Sequence, residues 1–307
     1  MSKTSAKILI GMWSAVLAVC IALFTFLSVN GGWLNLPFWN NARYGGDWSY
    51  HTVHEQSLAD DVHSLQLDWK AGDILVRRSE DGNVKIVQLG VKNTPENQFF
   101  RAAANNGVLT ISEGPSRAGL RIGPFSYSIG SDLELYLPEK VYESVRLTGS
   151  NGDVFLESLD ASSLKISTNS GEISLSGSVQ KLDLSSNSGD ILCHDLQAEQ
   201  ITCRTTSGDM DFSGELKEID AVSTSGELSF YTSRMVSGAS LRSTSGDVTL
   251  SLPENDGFDA RFSTTSGDLH CDFSGPFREG SQDFQYQGGG PQITVQTTIG
   301  DAALLRS

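Results

Sequence analysis

The chain has 307 residues, a formal charge of −15 and a pI near 4.7; 19% of its residues are charged, and it holds 31 glycines and 8 prolines. Such acidity excludes a nucleic-acid binder, which needs a basic face, and opposes charge-driven adsorption to an anionic lipid surface. The length accommodates one large domain with an anchor, or two small domains.

Residues Ile8 to Val29 form a run of twenty-two positions without a charge. At about 1.5 Å per residue, a helix of that length spans a ~30 Å hydrocarbon core. Lys3 and Lys7 precede the run and no basic residue follows until Arg43. The excess of positive charge on that side predicts a cytoplasmic N-terminus and an extracytoplasmic body. Trp33, Phe38 and Trp39 suit the membrane interface. A cleaved signal peptide is the competing reading, but its apolar core is usually shorter and Ser28-Val29-Asn30 is a poor cleavage site. A lipoprotein reading at Cys20 lacks the small residue before the cysteine, and the apolar run continues beyond it.

Residues 30–59 read as a polar juxtamembrane linker. His51, His54, Glu55, Asp60, Asp61 and His63 cluster there, without the His-Glu-x-x-His pattern of a zinc helix. The body is expected over residues 60–307, with irregular first coils or a cap at 60–140, regular coils at 141–272, and a loop with a final coil at 273–307.

The regular region is a repeat. Gly152, Gly171, Gly189, Gly208, Gly226, Gly246 and Gly267 each sit in an Asn/Thr-Ser-Gly-Asp/Glu turn or a close variant, separated by 18–21 residues. Seven and five residues before each glycine, and two and four after it, all twenty-eight positions are apolar: Val145, Leu147, Val154 and Leu156 in the first repeat, Ala260, Phe262, Leu269 and Cys271 in the last. Mostly polar residues lie between them. Alternation with period two on both sides of a turn predicts two half-buried strands per repeat. Leu65, Leu67, Gly72, Ile74 and Val76 share the register, as do Ile293, Val295, Gly300 and Leu304. Cys193, Cys203 and Cys271 fall on core columns, which argues against disulfides or ligation.

Two architectures fit. In a meander the turns close antiparallel hairpins. In a solenoid each repeat is one coil and equivalent residues stack at about 4.8 Å. Recurrence of one residue type at one position favours the solenoid, with Asn169, Asn187, Thr206, Thr224, Thr244 and Thr265 as a hydrogen-bonding column. The fold class expected is therefore all-β: a single-stranded β-solenoid (β-helix) with 18–21-residue coils, preceded by one N-terminal transmembrane helix.

A carboxylate follows each turn glycine: Asp153, Glu172, Asp190, Asp209, Glu227, Asp247 and Asp268. These are solvated turn residues accepting nearby backbone N–H groups, or else a strip of oxygen ligands for a divalent cation such as calcium. The spacing is not that of the nine-residue calcium β-roll. Arg146, Lys165, Arg204, Arg242 and Arg261 face outward on one strand, and Ser174, Ser176, Ser213, Ser229, Thr249 and Ser251 on the other, a hydroxyl-rich surface suited to a glycan or another β edge. His194 and His270 also face outward. No phosphate loop is present, Gly288-Gly289-Gly290 lacking the following Lys-Ser/Thr. No nucleophilic triad is evident.

Leu133-Glu134-Leu135-Tyr136-Leu137-Pro138, the repeated turns and the closing Thr298-Ile299-Gly300-Asp301 resemble a family of bacterial β-strand-repeat proteins of unknown function, often labelled "putative adhesins". The resemblance covers residues 60 to 307. It implies an envelope protein, often membrane-linked and sometimes near envelope-stress regulators, and it carries over no catalytic residues. The expected function is a non-catalytic binding, adhesion or scaffold module of the cell membrane, with an envelope protein or glycan as partner, no cofactor and no nucleic acid. A β-helical polysaccharide lyase or hydrolase, or a scaffold stacking end to end, are the alternatives.

Overall fold

The computed structural model describes residues 50–59, 61–115, 121–122, 125–126, 130–274 and 283–307. The expected membrane helix at 8–29 lies outside them. Among the described residues no helix is long and apolar enough to cross a membrane, and the one helical element is a 3-10 turn, Glu96–Gln98.

The body is an all-β stack whose coil-to-coil pairings are parallel. Register follows the sequence alignment: Val145 pairs with Leu164, Leu182 with Ile201, and Ile201 with Ile219. The solenoid expectation holds and the meander does not. Of the twenty-eight aligned apolar positions, all are buried except Leu269 and Cys271, which lie on the last rung.

The turn glycine explains why the coils superimpose. Gly189 and Gly208 have φ of +142° and +141°, a region that L side chains rarely adopt. A Cβ on Gly208 would also lie 2.3 Å from the carbonyl oxygen of Gly189, and one on Gly189 would lie 2.1 Å from that of Gly171. Each turn rests directly on the backbone of the next, leaving no room for a side chain.

Each regular coil has three parallel segments rather than two. In the strand Val154–Ser170, residues 154–156, 159–161 and 163–168 pair in turn with the following coil. The segment beyond the two expected, residues 159–161 and their counterparts, is the third: it begins where Leu159 and Leu196 stack with Gly177 and Gly214, and it adds an apolar column that the two-strand reading omits, Ala161, Val179, Ala198 and Leu216, all buried. Its distance from the turn glycine varies because coils of two lengths alternate. The 19-residue coils turn the intervening corner through left-handed Ser158 and Asp195, and the 18-residue coils through Gly177 and Gly214. The register shift of one residue is confined to that corner.

The proposed Asn/Thr column two residues before the glycine is corrected in position. Asn169, Asn187, Thr206, Thr224, Thr244 and Thr265 are exposed on the outer side of the turn. The inward polar column lies one residue earlier, at Thr168, Ser186, Thr205, Ser223, Ser243 and Thr297. Period-two alternation requires this, since the core columns stand seven and five residues before the glycine and three continues the series.

Both ends depart from chain order. The coil of residues 64–78 pairs on one side with Ser144–Asn151 and Val154–Ser170, and on the other with Val108–Ser112 and Asp132–Leu137. Val108–Ser112 and Asp132–Leu137 thus supply an outermost rung, and the strands paired with them a cap. Val84–Gly90 runs antiparallel to Asp132–Leu137, and Arg101–Asn105 antiparallel to Val108–Ser112. His51–Leu58, expected within the linker, is a strand antiparallel to Val84–Gly90; none of its side chains is buried, so it shows little apolar alternation. At the other end, Gln292–Gln296 and Ala302–Arg306 lie between the coil of residues 238–252 and that of residues 258–271. Asp283–Tyr286 closes the outer edge, antiparallel to Phe258–Ser263.

Buried polar groups of the N-terminal cap are matched. Gln88, 1% exposed, accepts the Phe100 N–H at 2.9 Å and donates to Ser131 Oγ at 2.9 Å. Glu113 accepts the N–H groups of Lys70 at 2.7 Å and Ala71 at 3.3 Å. Burial pushes the Glu113 carboxyl above its ordinary value of 4.5, although those bonds oppose the shift.

Gly208→Ala is expected to lower the unfolding free energy by about 2–3 kcal/mol in urea titration, against less than about 0.5 kcal/mol for Ser207→Ala. Because the pKa of Glu113 is raised on folding, its stabilising proton is bound below 4.5 and lost as pH rises through the folded value. Glu113→Gln is therefore expected to flatten the decline in stability above that pH, measured by urea midpoints across the acid range.

Candidate binding groove and acidic edge

The carboxylates after the turn glycines do form one edge column, and most of them have a specific partner. The Oδ1 of an aspartate accepts the N–H of the stacked acidic residue on the next rung: Asp153 from Glu172 at 2.8 Å, Asp190 from Asp209 at 2.9 Å, Asp209 from Glu227 at 2.8 Å and Asp247 from Asp301 at 2.7 Å. Asp301 accepts from Asp268 at 2.8 Å. The column also extends to Asp73 and Asp132, which accept from Asp153 and Asp73. The short aspartate side chain reaches the neighbouring rung as it reaches an N–H group in an Asx turn. Glu172 and Glu227 occupy the column without an equivalent bond. Among the described residues, no group of three or more His, Cys, Asp or Glu side chains is disposed to hold a metal ion. The histidines of the 51–63 segment are separated in use: His54 stacks on Phe99 with ring centroids 4.7 Å apart, and His63 meets Glu143 at 3.2 Å.

Nucleophile chemistry has no seat in the core. Cys193 and Cys203 are buried free thiols, and burial pushes both pKa values up, away from the reactive thiolate. Cys271 is half-buried, its Sγ 3.6 Å from the Phe273 carbonyl. His194 Nδ1 lies 3.1 Å from Ser213 Oγ on the neighbouring rung, a pairing that spacing along the chain does not reveal. The pair is exposed on a strand face and lines none of the cavities described here.

The principal concavity runs along the corner between the third segment of one coil and the first of the next, with a volume of about 960 Å³. It crosses successive rungs. The third apolar column lies beneath it, and its walls carry Gln180, Lys181, Gln197, Glu199, Lys217 and Arg234. Lys217 pairs with Glu199, and Arg234 with Glu215 at 3.2 Å. Lys181 makes no ion pair among the described residues. The groove therefore holds near-balanced charge on a strongly acidic chain. Three of the five outward basic residues on the neighbouring face are similarly matched, Lys165 with Asp183, Arg204 with Asp220 and Arg261 with Asp283. These pairs are exposed and contribute little stability.

A family profile described as Toastrack DUF4097 matches residues 62–304. No curated protein matches the chain in sequence. Among solved structures, one described as a "putative adhesin" from Parabacteroides distasonis ATCC 8503 aligns at a TM-score of 0.48 and 16% identity, covering 85% of this chain and 98% of that one. A "putative lipid binding protein" from the same organism aligns at 0.45 and 15%, with the same coverage. A "putative adhesin" from Bacteroides fragilis NCTC 9343 aligns at 0.40 and 13%, covering 83% and 96%.

If the edge aspartates serve the backbone, Asp209→Ala is expected to cost about 1–2 kcal/mol, equally with and without calcium, whereas Glu227→Ala costs less than about 0.5 kcal/mol. Urea titrations in calcium and in chelator make the comparison.

Proposed function

We propose that this chain, which belongs to the Toastrack DUF4097 family, is a membrane-anchored, extracytoplasmic solenoid that binds an extended envelope glycan along its corner groove without cleaving it. The groove carries the reading. It is open and crosses several coils, and its walls offer the amides of Gln180 and Gln197 with near-balanced charge. A polyhydroxylated polymer lying along the stack meets polar or charged side chains on each rung, at a rise of about 4.8 Å. A peptide adding as a strand is less well suited. Strand addition needs a free sheet edge, and along these coils the backbone is committed to rung-to-rung pairing.

The non-catalytic part of the reading is supported by what surrounds the groove. None of its walls carries a thiol or a histidine, and its acids Glu199 and Glu215 are exposed and ion-paired. The extracytoplasmic placement rests on the apolar run at 8–29 and the lysines before it.

The combined variant Gln180→Ala, Lys181→Ala, Gln197→Ala is expected to weaken binding to isolated envelope polysaccharide at least tenfold, equivalent to about 1.4 kcal/mol, with an unchanged urea midpoint. Equal binding by the variant would refute the groove, and capture of protein segments but no glycan would refute the ligand class. Protease treatment of cells with any outer barrier permeabilised is expected to degrade the body; its full protection would overturn the topology.

A further inference from the structure

The two C-terminal coils are stacked out of chain order, and the contacts that hold them are interchangeable. The coil of residues 238–252 contacts that of residues 292–306, which in turn contacts that of residues 258–271. Down the turn column the order is Gly246, Gly300, Gly267. Yet residues 258–271 carry everything needed to sit directly on 238–252. Ala260 and Phe262 would follow Ala239 and Leu241, Thr264 would follow Ser243, and Gly267 would follow Gly246. Asp247, which accepts the Asp301 N–H at 2.7 Å, would accept that of Asp268, just as Asp301 does at 2.8 Å.

We infer that the C-terminal end has two stacking orders: an in-order stack, in which 258–271 lies on 238–252, forms first, and residues 292–306 then enter between them. Residues 258–271 are made before 292–306, and chains fold from the N-terminus as they emerge. Pairing the earlier coil immediately is also the more local event.

The final order is held by an aromatic closure that only the outermost coil can carry. Phe258 packs edge-on against Phe273 at 5.1 Å and lies 5.3 Å from Tyr286, while Phe273 and Tyr286 are 5.0 Å apart. Tyr286 belongs to the strand Asp283–Tyr286 that closes the Phe258–Ser263 edge antiparallel. In the in-order stack the last coil would occupy that edge. The inserted coil thus acts as a bolt: its entry moves 258–271 outward to where the closure forms and the open edge is covered. An open β edge is a template for pairing with another chain, so the order of these two coils also governs self-association.

Arg242, Gln296 and Ser263 occupy one outward column, with Arg242 paired to Gln296 and Ser263 paired to Gln296. Adjacent rungs are about 4.8 Å apart and alternate ones about 9.6 Å, while a disulfide needs Cα atoms within about 7 Å. The test uses the full chain with Cys20→Ser and Cys271→Ser and three cysteine pairs. Ser263→Cys with Gln296→Cys links in either order. Arg242→Cys with Gln296→Cys links only in the final order. Arg242→Cys with Ser263→Cys links only in the in-order stack. During refolding from urea, the last pair is expected to link several-fold more when oxidant is present from the start than when it is added after folding is complete. Equal and negligible linkage at both times, with the other two pairs linking, would overturn the inference. Failure of the Arg242–Gln296 pair in folded protein would overturn it too, by removing the inserted coil.

Discussion

The fold depends on a column of glycines whose missing side chains are replaced by the backbone of the neighbouring coil. At Gly171, Gly189, Gly208, Gly226 and Gly246 a Cβ would come within 2.3 Å of the preceding glycine's carbonyl oxygen. This contact sets the vertical alignment of the coils. Once the turns are superimposed, the residues two and four positions later, and five and seven earlier, must stack on their counterparts. The four apolar columns are consequences of that alignment, and so is the reach of each edge aspartate to the N–H above it.

The same constraint shapes what the protein offers to partners. Rung-to-rung bonding commits the backbone along the stack, so recognition falls to outward side chains and to corners where the chain bends. The corner with alternating left-handed residues and glycines permits coils of 18 and 19 residues to share one register. The next corner along each coil carries the groove. The ends have the opposite problem, because an open rung presents unpaired edges. Here both are closed by antiparallel strands, with Glu113 and Gln88 satisfying backbone groups at one end and an aromatic cluster packed at the other.

Much of this was legible from the sequence because the repeat is local and periodic. The turn motif and the alternation around it identified twenty-six buried positions and the three core cysteines, although Cys271 is only half-buried. The third column was not legible, since its distance from the glycine shifts with the corner residue; Gly177 and Gly214, recurring in alternate coils, were the available signal. The order of the terminal coils was invisible for a different reason. Residues 258–271 and 292–306 carry the same motif, so sequence periodicity cannot say which one lies on 238–252. The strand at 51–58 reads as a polar linker in the sequence because it lies at a sheet edge with no buried side chain, and its His54 stacks on Phe99. The groove arises from the corner geometry, which no linear spacing encodes.

Parallel stacking in the order Gly246, Gly300, Gly267 is the central structural claim, and distances along one outward column measure it directly. Spin labels placed at Ser167 and, in separate variants, at Arg204, Val222, Arg242, Gln296 or Ser263 share that column, with Arg204 two rungs from Ser167 and each later position one rung further. The account predicts separations that grow by about 4.8 Å per rung, with Gln296 nearer to Ser167 than Ser263 is. Separations that fail to grow steadily, or a Ser263 label nearer than the Gln296 label, would contradict it.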